Sequence, residues 1–172
     1  MKIGIITFQN SHNYGAFLQQ YALKKIIERK GHSIEVINYK SLRYLILEFI
    51  TMLIRDPISK LKLLYSNHNA LMNYGKLITN KKNLFRNQYD LLIYGSDEIW
   101  NLNRISLGKN DFYFGNTYEE QKTSQISYAA SFGHTKKVDF KHKRILEHLK
   151  LFDALSVRDD NSKEILKTQL DL

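Results

Sequence analysis

Two short apolar runs flank one helical pattern within residues 1–40, and this arrangement constrains the fold of the chain most strongly. The runs cover 2–8 and 33–39, and the spacing of apolar residues predicts a helix over 16–30 that ends before Gly31. A strand, a helix and a second strand at this spacing predict a βαβ unit, whose crossover makes its two strands parallel. The chain is therefore expected to fold around a parallel sheet.

The same alternation continues further along the chain. Apolar runs predict three more strands, over 91–95, 125–130 and 154–157. Helical spacing predicts a helix over 138–152, and the polar cluster at 159–162 is typical of the start of a last helix. The prediction is an α/β fold with a doubly wound parallel sheet, formed by a single domain over residues 1–172.

Residues 41–88 interrupt this alternation and are interpreted as a helical insertion. The strongly apolar stretch 42–65 is broken by charges, at Arg43, Glu48 and Arg55. Its uncharged runs are shorter than the roughly 20 residues that cross a bilayer, so we predict two helices broken before Pro57, and one short helix around 71–78. The apolar face of 42–65 either packs on the sheet or lies on a membrane surface or a partner.

Composition restricts the classes of protein open to this chain. The absence of cysteine among 172 residues excludes disulfides and thiolate metal sites and favours a reducing cytoplasm. The first apolar run is too short for a signal peptide. The chain has 26 Lys and Arg and 17 Asp and Glu, which give a net charge of +9, and its densest basic patch lies in 136–150. Since this patch lacks the interleaved aromatic residues of a base-stacking platform, a solvated helix face is the simpler interpretation, and no nucleic-acid partner is expected.

Three loops follow strands at the carboxyl edge of the predicted sheet, where doubly wound folds bind ligands. The first loop, 10–15, leads into a predicted helix, whose exposed N–H groups could bind an anion or a hydroxyl group of a ligand. It lacks the G-x-G-x-x-G spacing of a dinucleotide site. Its His12 is interpreted as a surface residue. The small residues of 127–133 allow a close approach of ligand or backbone, and His134 after them is a candidate acid or base, although a lone loop histidine is usually not catalytic.

The remaining loop places unusual chemistry directly after a buried strand. Gly95 ends the apolar run, and Ser96, Asp97 and the only tryptophan, Trp100, follow it. Asp97 could accept the proton of a sugar hydroxyl while Trp100 stacks on the sugar ring. The alternative is a capping turn with Trp100 in the core. No cluster of His, Asp and Glu has metal-ligand spacing, so no bound metal is expected.

Four stretches occur in an order that resembles the polysaccharide pyruvyl transferase family. They are "NYGAFLQQYAL" at 13–23, "GSDEIWN" at 95–101, "SYAASFG" at 127–133 and "SVRD" at 156–159. The resemblance covers most of the chain apart from 41–88, which is then a variable insertion. Two positions depart from the family pattern, since Glu98 stands where glutamine is common and Asp159 where glutamate is common.

The resemblance implies a glycosyltransferase-B-like fold, in which two Rossmann-like domains face a cleft. It implies transfer of a pyruvyl group from phosphoenolpyruvate to a sugar, with a ketal formed across two hydroxyls. Asp97 is then the catalytic residue that positions or deprotonates the acceptor hydroxyl. The implied substrate-binding residues are Asn13, Tyr14, Gly15, Gly95, Ser96, Trp100, Asn101, Ser131 and Arg158. No cofactor is expected beyond phosphoenolpyruvate as a co-substrate.

The chain is expected to correspond to the acceptor-side, N-terminal domain of such an enzyme. The second domain, which would carry most of the basic residues for phosphoenolpyruvate, is expected to be absent, so little activity is expected from this chain alone. The expected acceptor is a sugar or lipid-linked oligosaccharide of a bacterial surface polysaccharide, in the cytoplasm, with 42–65 as the segment that would touch the inner membrane face. Two alternatives remain: a nucleotide-sugar glycosyltransferase of the same fold, and a non-catalytic remnant that binds glycan or membrane.

Overall fold

The computed structural model describes residues 1–7, 14–39, 76–78, 89–103, 111–115 and 123–172. Within these ranges five strands are present: β1 (Lys2–Ile6), β2 (Ser33–Tyr39), β3 (Lys76–Ile78), β4 (Leu91–Gly95) and β5 (Ser124–Tyr128). The same ranges contain three α-helices: α1 (Tyr14–Arg29), α2 (Phe140–Leu146) and α3 (Asp160–Leu170). Two 3₁₀-helices, Asp111–Phe114 and Glu147–Leu151, complete the described elements.

The strands form one sheet in the order β3-β2-β1-β4-β5, and every pairing is parallel. Ile5 of β1, at the centre, lies opposite Val36 of β2 on one side and Ile93 of β4 on the other. The chain therefore winds outward in one direction from β1 to β3 and in the other from β4 to β5. The carboxyl ends of β1 and β4 meet where the direction changes, which is the place where open α/β sheets bind ligands.

Apolar residues cover the sheet on both faces. On one face, Ile5 and Ile93 pack with Leu23 and Ile27 of α1. On the other face, the next residues along each strand join a larger cluster with residues of the turn after β4 and of α3, including Ile6, Tyr94, Trp100, Phe132 and Ile165. Successive side chains of a strand point to opposite faces, so a strand buried on both sides must be apolar throughout. This explains the uninterrupted apolar runs of β1 and β4.

Most of the predicted elements are confirmed. The strands predicted over 33–39 and 91–95 match β2 and β4, and those predicted over 2–8 and 125–130 correspond to β1 and β5 with ends shifted by one or two residues. The helix predicted over 16–30 corresponds to α1, which already begins at Tyr14. The last helix corresponds to α3, and its N-cap is Asp159, whose side chain accepts the Ser162 N–H. The stretch 42–65 lies outside the described residues.

Two helical predictions need correction. The short helix predicted around 71–78 is wrong at 76–78, because these residues form β3 and pair in parallel with β2 from Ile37 to Tyr39. Pairing with a neighbouring strand overrides a weak local pattern. The helix predicted over 138–152 is divided: α2 ends at Leu146 and the chain continues as a 3₁₀-helix that keeps Leu149 in the core.

The strand predicted over 154–157 is reduced to two isolated parallel bridges, Ile126 with Ala154 and Ala130 with Val157. A side chain explains the interruption. The Ser127 hydroxyl donates to the Ser156 carbonyl at 3.0 Å and accepts the Ser156 N–H at 2.8 Å. It thereby takes the Ser156 N–H that a continuous ladder would pair with a backbone carbonyl, while the Ser156 carbonyl also accepts the Ala130 N–H at 3.2 Å. The segment therefore lies beside β5 without becoming a full strand.

The burial of Trp100 generates a prediction about stability. Its indole is fully buried and donates its N–H to the Tyr113 carbonyl at 2.9 Å. Its ring packs against Phe114, Phe132 and Phe152. We expect Trp100→Ala to lower the free energy of unfolding by about 3–5 kcal/mol, because it leaves a large cavity. Urea unfolding followed by circular dichroism measures this change.

Leu18→Ala is the control for this measurement. Leu18 is 60% exposed on α1, so its replacement should change the free energy of unfolding by no more than about 0.5 kcal/mol. Equal effects of the two substitutions would contradict a structural role for the indole.

Candidate functional site

Gly95 ends β4 in a conformation that requires glycine. Its φ is +137°, and a Cβ added there would collide with the carbonyl of Tyr128 at the end of β5. The same carbonyl accepts the Ser96 N–H at 2.7 Å. The ends of β4 and β5 therefore lie closer together than a side chain at position 95 would permit.

Both strands continue into a strained residue. Ser96 follows β4 with φ of +60°, and Ala129 follows β5 with φ of +51°. This left-handed conformation costs residues other than glycine about 1–2 kcal/mol, so the surrounding contacts must hold Ser96 and Ala129 in place. The Ser96 hydroxyl is buried and has no hydrogen-bond partner among the described residues. A buried polar atom without a partner is uncommon, and it occurs here beside a carboxylate.

Asp97 occupies the first turn after the strand end and is 8% exposed. Its Oδ1 atom accepts the N–H of Glu98 at 2.8 Å. Its carbonyl accepts two N–H groups, from Ile99 at 2.8 Å and from Ser131 at 3.1 Å. The side chain therefore caps the turn through one oxygen, in agreement with the capping turn that was one of the two interpretations of the sequence. The backbone of Asp97 connects the turn to the loop after β5.

Glu98 places a second carboxylate beside this turn. Its Oε2 atom accepts a hydrogen bond from the Asn101 side-chain amide at 3.0 Å, and its Oε1 atom lies 3.8 Å from the Arg158 guanidinium. Gly133 has a positive φ, +56°, and a Cβ there would come within 2.6 Å of Oε2, so a larger residue would be strained and would displace the Glu98 side chain. The pair with Arg158 is part-exposed and therefore contributes little to stability. It places the guanidinium beside the turn after β4.

Ser131 joins the loop after β5 to the turn after β4. It is fully buried, and its carbonyl accepts the Trp100 N–H at 3.1 Å while its N–H donates to Asp97. Its hydroxyl donates to Oδ2 of Asp159 at 2.6 Å and accepts the Gly133 N–H at 2.8 Å. All the polar groups of Ser131 are thus engaged in holding the site.

The first turn of α3 holds the same loop from the other side. Oδ1 of Asp159 accepts the Ser162 N–H at 2.8 Å, and the Ser162 hydroxyl accepts the Phe132 N–H at 2.9 Å. Partial burial acts to raise the pKa of the Asp159 carboxyl. The hydrogen bonds from Ser131 and Ser162, with the nearby Arg158 charge, outweigh it and hold this pKa below its usual value. Asp159 is therefore a carboxylate at neutral pH.

The structure brings together six of the residues expected at the site. They are Gly95, Ser96, Asp97, Asn101, Ser131 and Arg158, which are joined through the contacts of the turn after β4 and the loop after β5. Tyr14 and Gly15 form the start of α1, which follows the central strand β1. Asn13 lies outside the described residues. The candidate base His134 is exposed, in a turn whose flanking carbonyls, those of Gly133 and Thr135, accept hydrogen bonds from Asn161.

Trp100 requires a correction. It was expected to bind substrate by stacking on a sugar ring, which requires an accessible ring face. The indole is instead fully buried among phenylalanines and bonded to the Tyr113 carbonyl. The structure therefore assigns it to the core, which was the alternative interpretation. Its backbone still belongs to the site, because its N–H binds the Ser131 carbonyl.

Sequence reasoning missed the contributions of Asp159 and Gly133 to the site. Asp159 carries a clear sequence signal for a helix cap, and that signal accounts for only one of its two oxygens. The bond from its second oxygen to Ser131 joins residues 28 positions apart, which no local pattern reveals. The small residues around Gly133 did predict a close approach, although not its partner Glu98.

Neither a metal site nor a membrane-spanning helix occurs among the described residues. In this part of the chain, no group of three or more His, Asp or Glu side chains could hold a metal ion. None of the described helices has the length and apolar character needed to cross a membrane.

A parallel α/β sheet that winds outward in two directions from its centre defines a Rossmann-like fold. Comparison with known families is more specific, since the sequence model of the polysaccharide pyruvyl transferase family matches residues 13–170. The chain therefore belongs to that family. No curated protein and no solved structure matches it. The match includes all four stretches that carried the resemblance.

The tight contact between Gly95 and Tyr128 generates a second prediction about stability. We expect Gly95→Ala to cost about 1–3 kcal/mol in backbone strain and a similar amount in overpacking, because the obstacle is a backbone carbonyl that cannot rotate away. Gly31→Ala is the matched control, since Gly31 also has positive φ, +84°, but nothing within 4 Å of its added Cβ. It should lose only about 1–2 kcal/mol.

Urea unfolding of both variants, monitored by Trp100 fluorescence, tests this difference. Equal losses would show that the backbone conformation alone, and not the contact between the strand ends, restricts position 95.

Proposed function

We propose that this chain takes part in the transfer of a pyruvyl group from phosphoenolpyruvate to a sugar of a surface polysaccharide, and that it supplies the acceptor side of the reaction. Family membership supports a transferase of this kind. The observation that carries the acceptor role is the position of Asp97, a carboxylate in the first turn after β4, where the winding of the sheet changes direction.

The charges of the described residues favour a sugar over phosphoenolpyruvate at this edge. Asp97, Glu98 and Asp159 contribute three carboxylates, and Arg158 already lies beside Glu98. Sugar hydroxyls donate hydrogen bonds to carboxylates, whereas phosphoenolpyruvate carries a phosphate and a carboxylate of its own and requires several cations. A chain with a net charge of +9 that gathers acidic groups here is suited to a neutral polyol.

The positively charged side chains that bind phosphoenolpyruvate would then come from another part of the enzyme. We place them in a second Rossmann-like unit that faces the edge across a cleft, in a glycosyltransferase-B-like arrangement. Such a cleft would exclude water from the reacting groups, which strengthens the electrostatic interactions within it. On this arrangement the chain by itself binds the acceptor and has little or no turnover.

The proposed chemistry uses Asp97 as a general base. Asp97 removes the proton of one acceptor hydroxyl, whose oxygen adds to C2 of phosphoenolpyruvate while the methylene carbon gains a proton. The second hydroxyl then displaces phosphate from the same carbon, and its proton leaves with the phosphate, which completes the ketal and releases inorganic phosphate. The proton that Asp97 takes from the first hydroxyl balances the one that the methylene carbon gains. Oδ1 of Asp97 is engaged with the Glu98 N–H, so the proton would be taken by Oδ2.

Asp97→Asn tests this role in a protein that unites the chain with its second unit. We expect turnover to fall about 10²–10⁴-fold, because asparagine is nearly the same size as aspartate but cannot accept the proton. The amide oxygen of asparagine can still accept the Glu98 N–H, so the turn should remain capped. Phosphate release and the methyl signal of the pyruvyl ketal in proton NMR measure the reaction.

Asp90→Asn is the control, because Asp90 is an exposed carboxylate that precedes the amino end of the same strand. Its replacement should leave turnover unchanged. Full activity of Asp97→Asn would remove Asp97 from the catalytic residues.

Binding experiments test the acceptor role on the chain alone. Titration with neutral oligosaccharides should shift NMR signals of residues 95–101, and phosphoenolpyruvate should not. The opposite result would assign the donor to this edge. Transfer that depends on a nucleotide sugar and releases nucleotide instead of phosphate would favour the glycosyltransferase alternative.

A further inference from the structure

Asp159 has two carboxylate oxygens that perform separate tasks. Oδ1 accepts the Ser162 N–H at 2.8 Å and so caps α3. Oδ2 accepts the Ser131 hydroxyl at 2.6 Å, and Ser131 lies in the loop after β5. The cap requires only one oxygen, so the second bond is not explained by the stability of the helix.

Ser131 in turn holds the turn after β4 at two points. Its N–H donates to the Asp97 carbonyl and its carbonyl accepts the Trp100 N–H, both at 3.1 Å. These bonds bracket the turn that carries the Asp97 carboxylate. Because Ser131 is fully buried, its position is set by protein contacts alone, and its hydroxyl bond to Asp159 is one of them.

The turn needs such support because it begins with a strained residue. Ser96 has a φ of +60°, and its buried hydroxyl finds no partner among the described residues. A strained segment persists only where surrounding contacts over-determine it. Rigid placement is also what a catalytic carboxylate requires, since a misplacement of about 1 Å can cost about 10²-fold in rate.

We infer that Asp159 is a positioning residue for Asp97, acting through Ser131. This inference rests on the proposed function for its effect on turnover, but not for its effect on the structure of the turn. Asp159 touches neither the acceptor nor the reacting atoms. It holds the loop after β5 against the turn after β4, so that the Asp97 carboxylate stays in one place.

Asp159→Ser separates the two tasks of the carboxylate. Serine caps helices about as well as aspartate, but its single short hydroxyl cannot reach both Ser162 and Ser131. Ser131→Ala breaks the same bond from the other side and leaves the helix cap intact. Asp160→Ser is the matched control, because Asp160 is an exposed carboxylate in the same turn of α3.

Amide hydrogen exchange of this chain, followed by NMR, provides the decisive readout. In Asp159→Ser and in Ser131→Ala we expect the backbone amides of Trp100 and of position 131 to exchange at least about tenfold faster, since local opening depends on local bonds. The Ile93 amide, in the middle of β4, should keep its rate. In Asp160→Ser all three amides should keep theirs.

The double variant tests whether Asp159 acts through Ser131. Asp159→Ser combined with Ser131→Ala should exchange no faster at Trp100 than Ser131→Ala alone, because Ser131→Ala already removes the bond to Asp159, together with the bond from the Gly133 N–H. Additive effects would overturn the proposed path. Equal acceleration of Ile93, Ser131 and Trp100 would show that Asp159 stabilises the whole fold and does not position the turn.

Turnover distinguishes this inference from the proposed function. In the protein that unites both units, Asp159→Ser should lower kcat about tenfold or more and change KM by less than about twofold, because binding groups stay while the base is misplaced. If the parent protein transfers no pyruvyl group, the proposed function fails, and the exchange rates still decide the positioning role. Faster exchange with unchanged kcat would overturn the link to Asp97.

Discussion

The hydrogen bond from the Ser96 N–H to the Tyr128 carbonyl, 2.7 Å long, determines how the two strands at the candidate site end. It keeps β4 and β5 paired to their last residues and then turns the chain away from the sheet. The close approach leaves no room for a side chain at Gly95, and the residues that follow the two strand ends, Ser96 and Ala129, adopt left-handed conformations. The remaining contacts of the site, through Ser131 and α3, hold the segments that leave this junction.

The site is an acidic feature of a basic protein. Three carboxylates surround the turn, although the chain as a whole carries a net charge of +9. Each carboxylate has identified partners: Asp97 binds a backbone N–H, Glu98 binds Asn101 and faces Arg158, and Asp159 binds Ser131 and Ser162. For Asp159, the bonds from Ser131 and Ser162 help to hold the pKa of the carboxyl below its usual value, so part of the acidity of this edge is stabilised by hydrogen bonds.

The sequence predicted those features of the fold that arise from local patterns. Short runs rich in apolar residues identified β1, β2, β4 and β5, and a polar cluster identified the cap of α3. The misassigned segments depend on partners distant in sequence: β3 exists because it pairs with β2, and 154–157 is interrupted by the hydroxyl of Ser127. The positions of Asp97 and Ser96 followed from the strand end, whereas the burial of Trp100 depends on Phe114, Phe132 and Phe152, which no local pattern relates to it.

The interruption beside β5 has a consequence for self-association. An unpaired strand edge is a template to which another chain can add, and the outer side of β5 would offer one. Here the segment 154–157 covers that side, while the Ser127 hydroxyl occupies the N–H and carbonyl of Ser156. The segment pairs beside β5 at only two isolated bridges, so it lacks the regular ladder of a full strand. The sheet thus ends on this side in an irregular segment, which is one of the ways in which proteins avoid the edge-to-edge pairing that leads to aggregation.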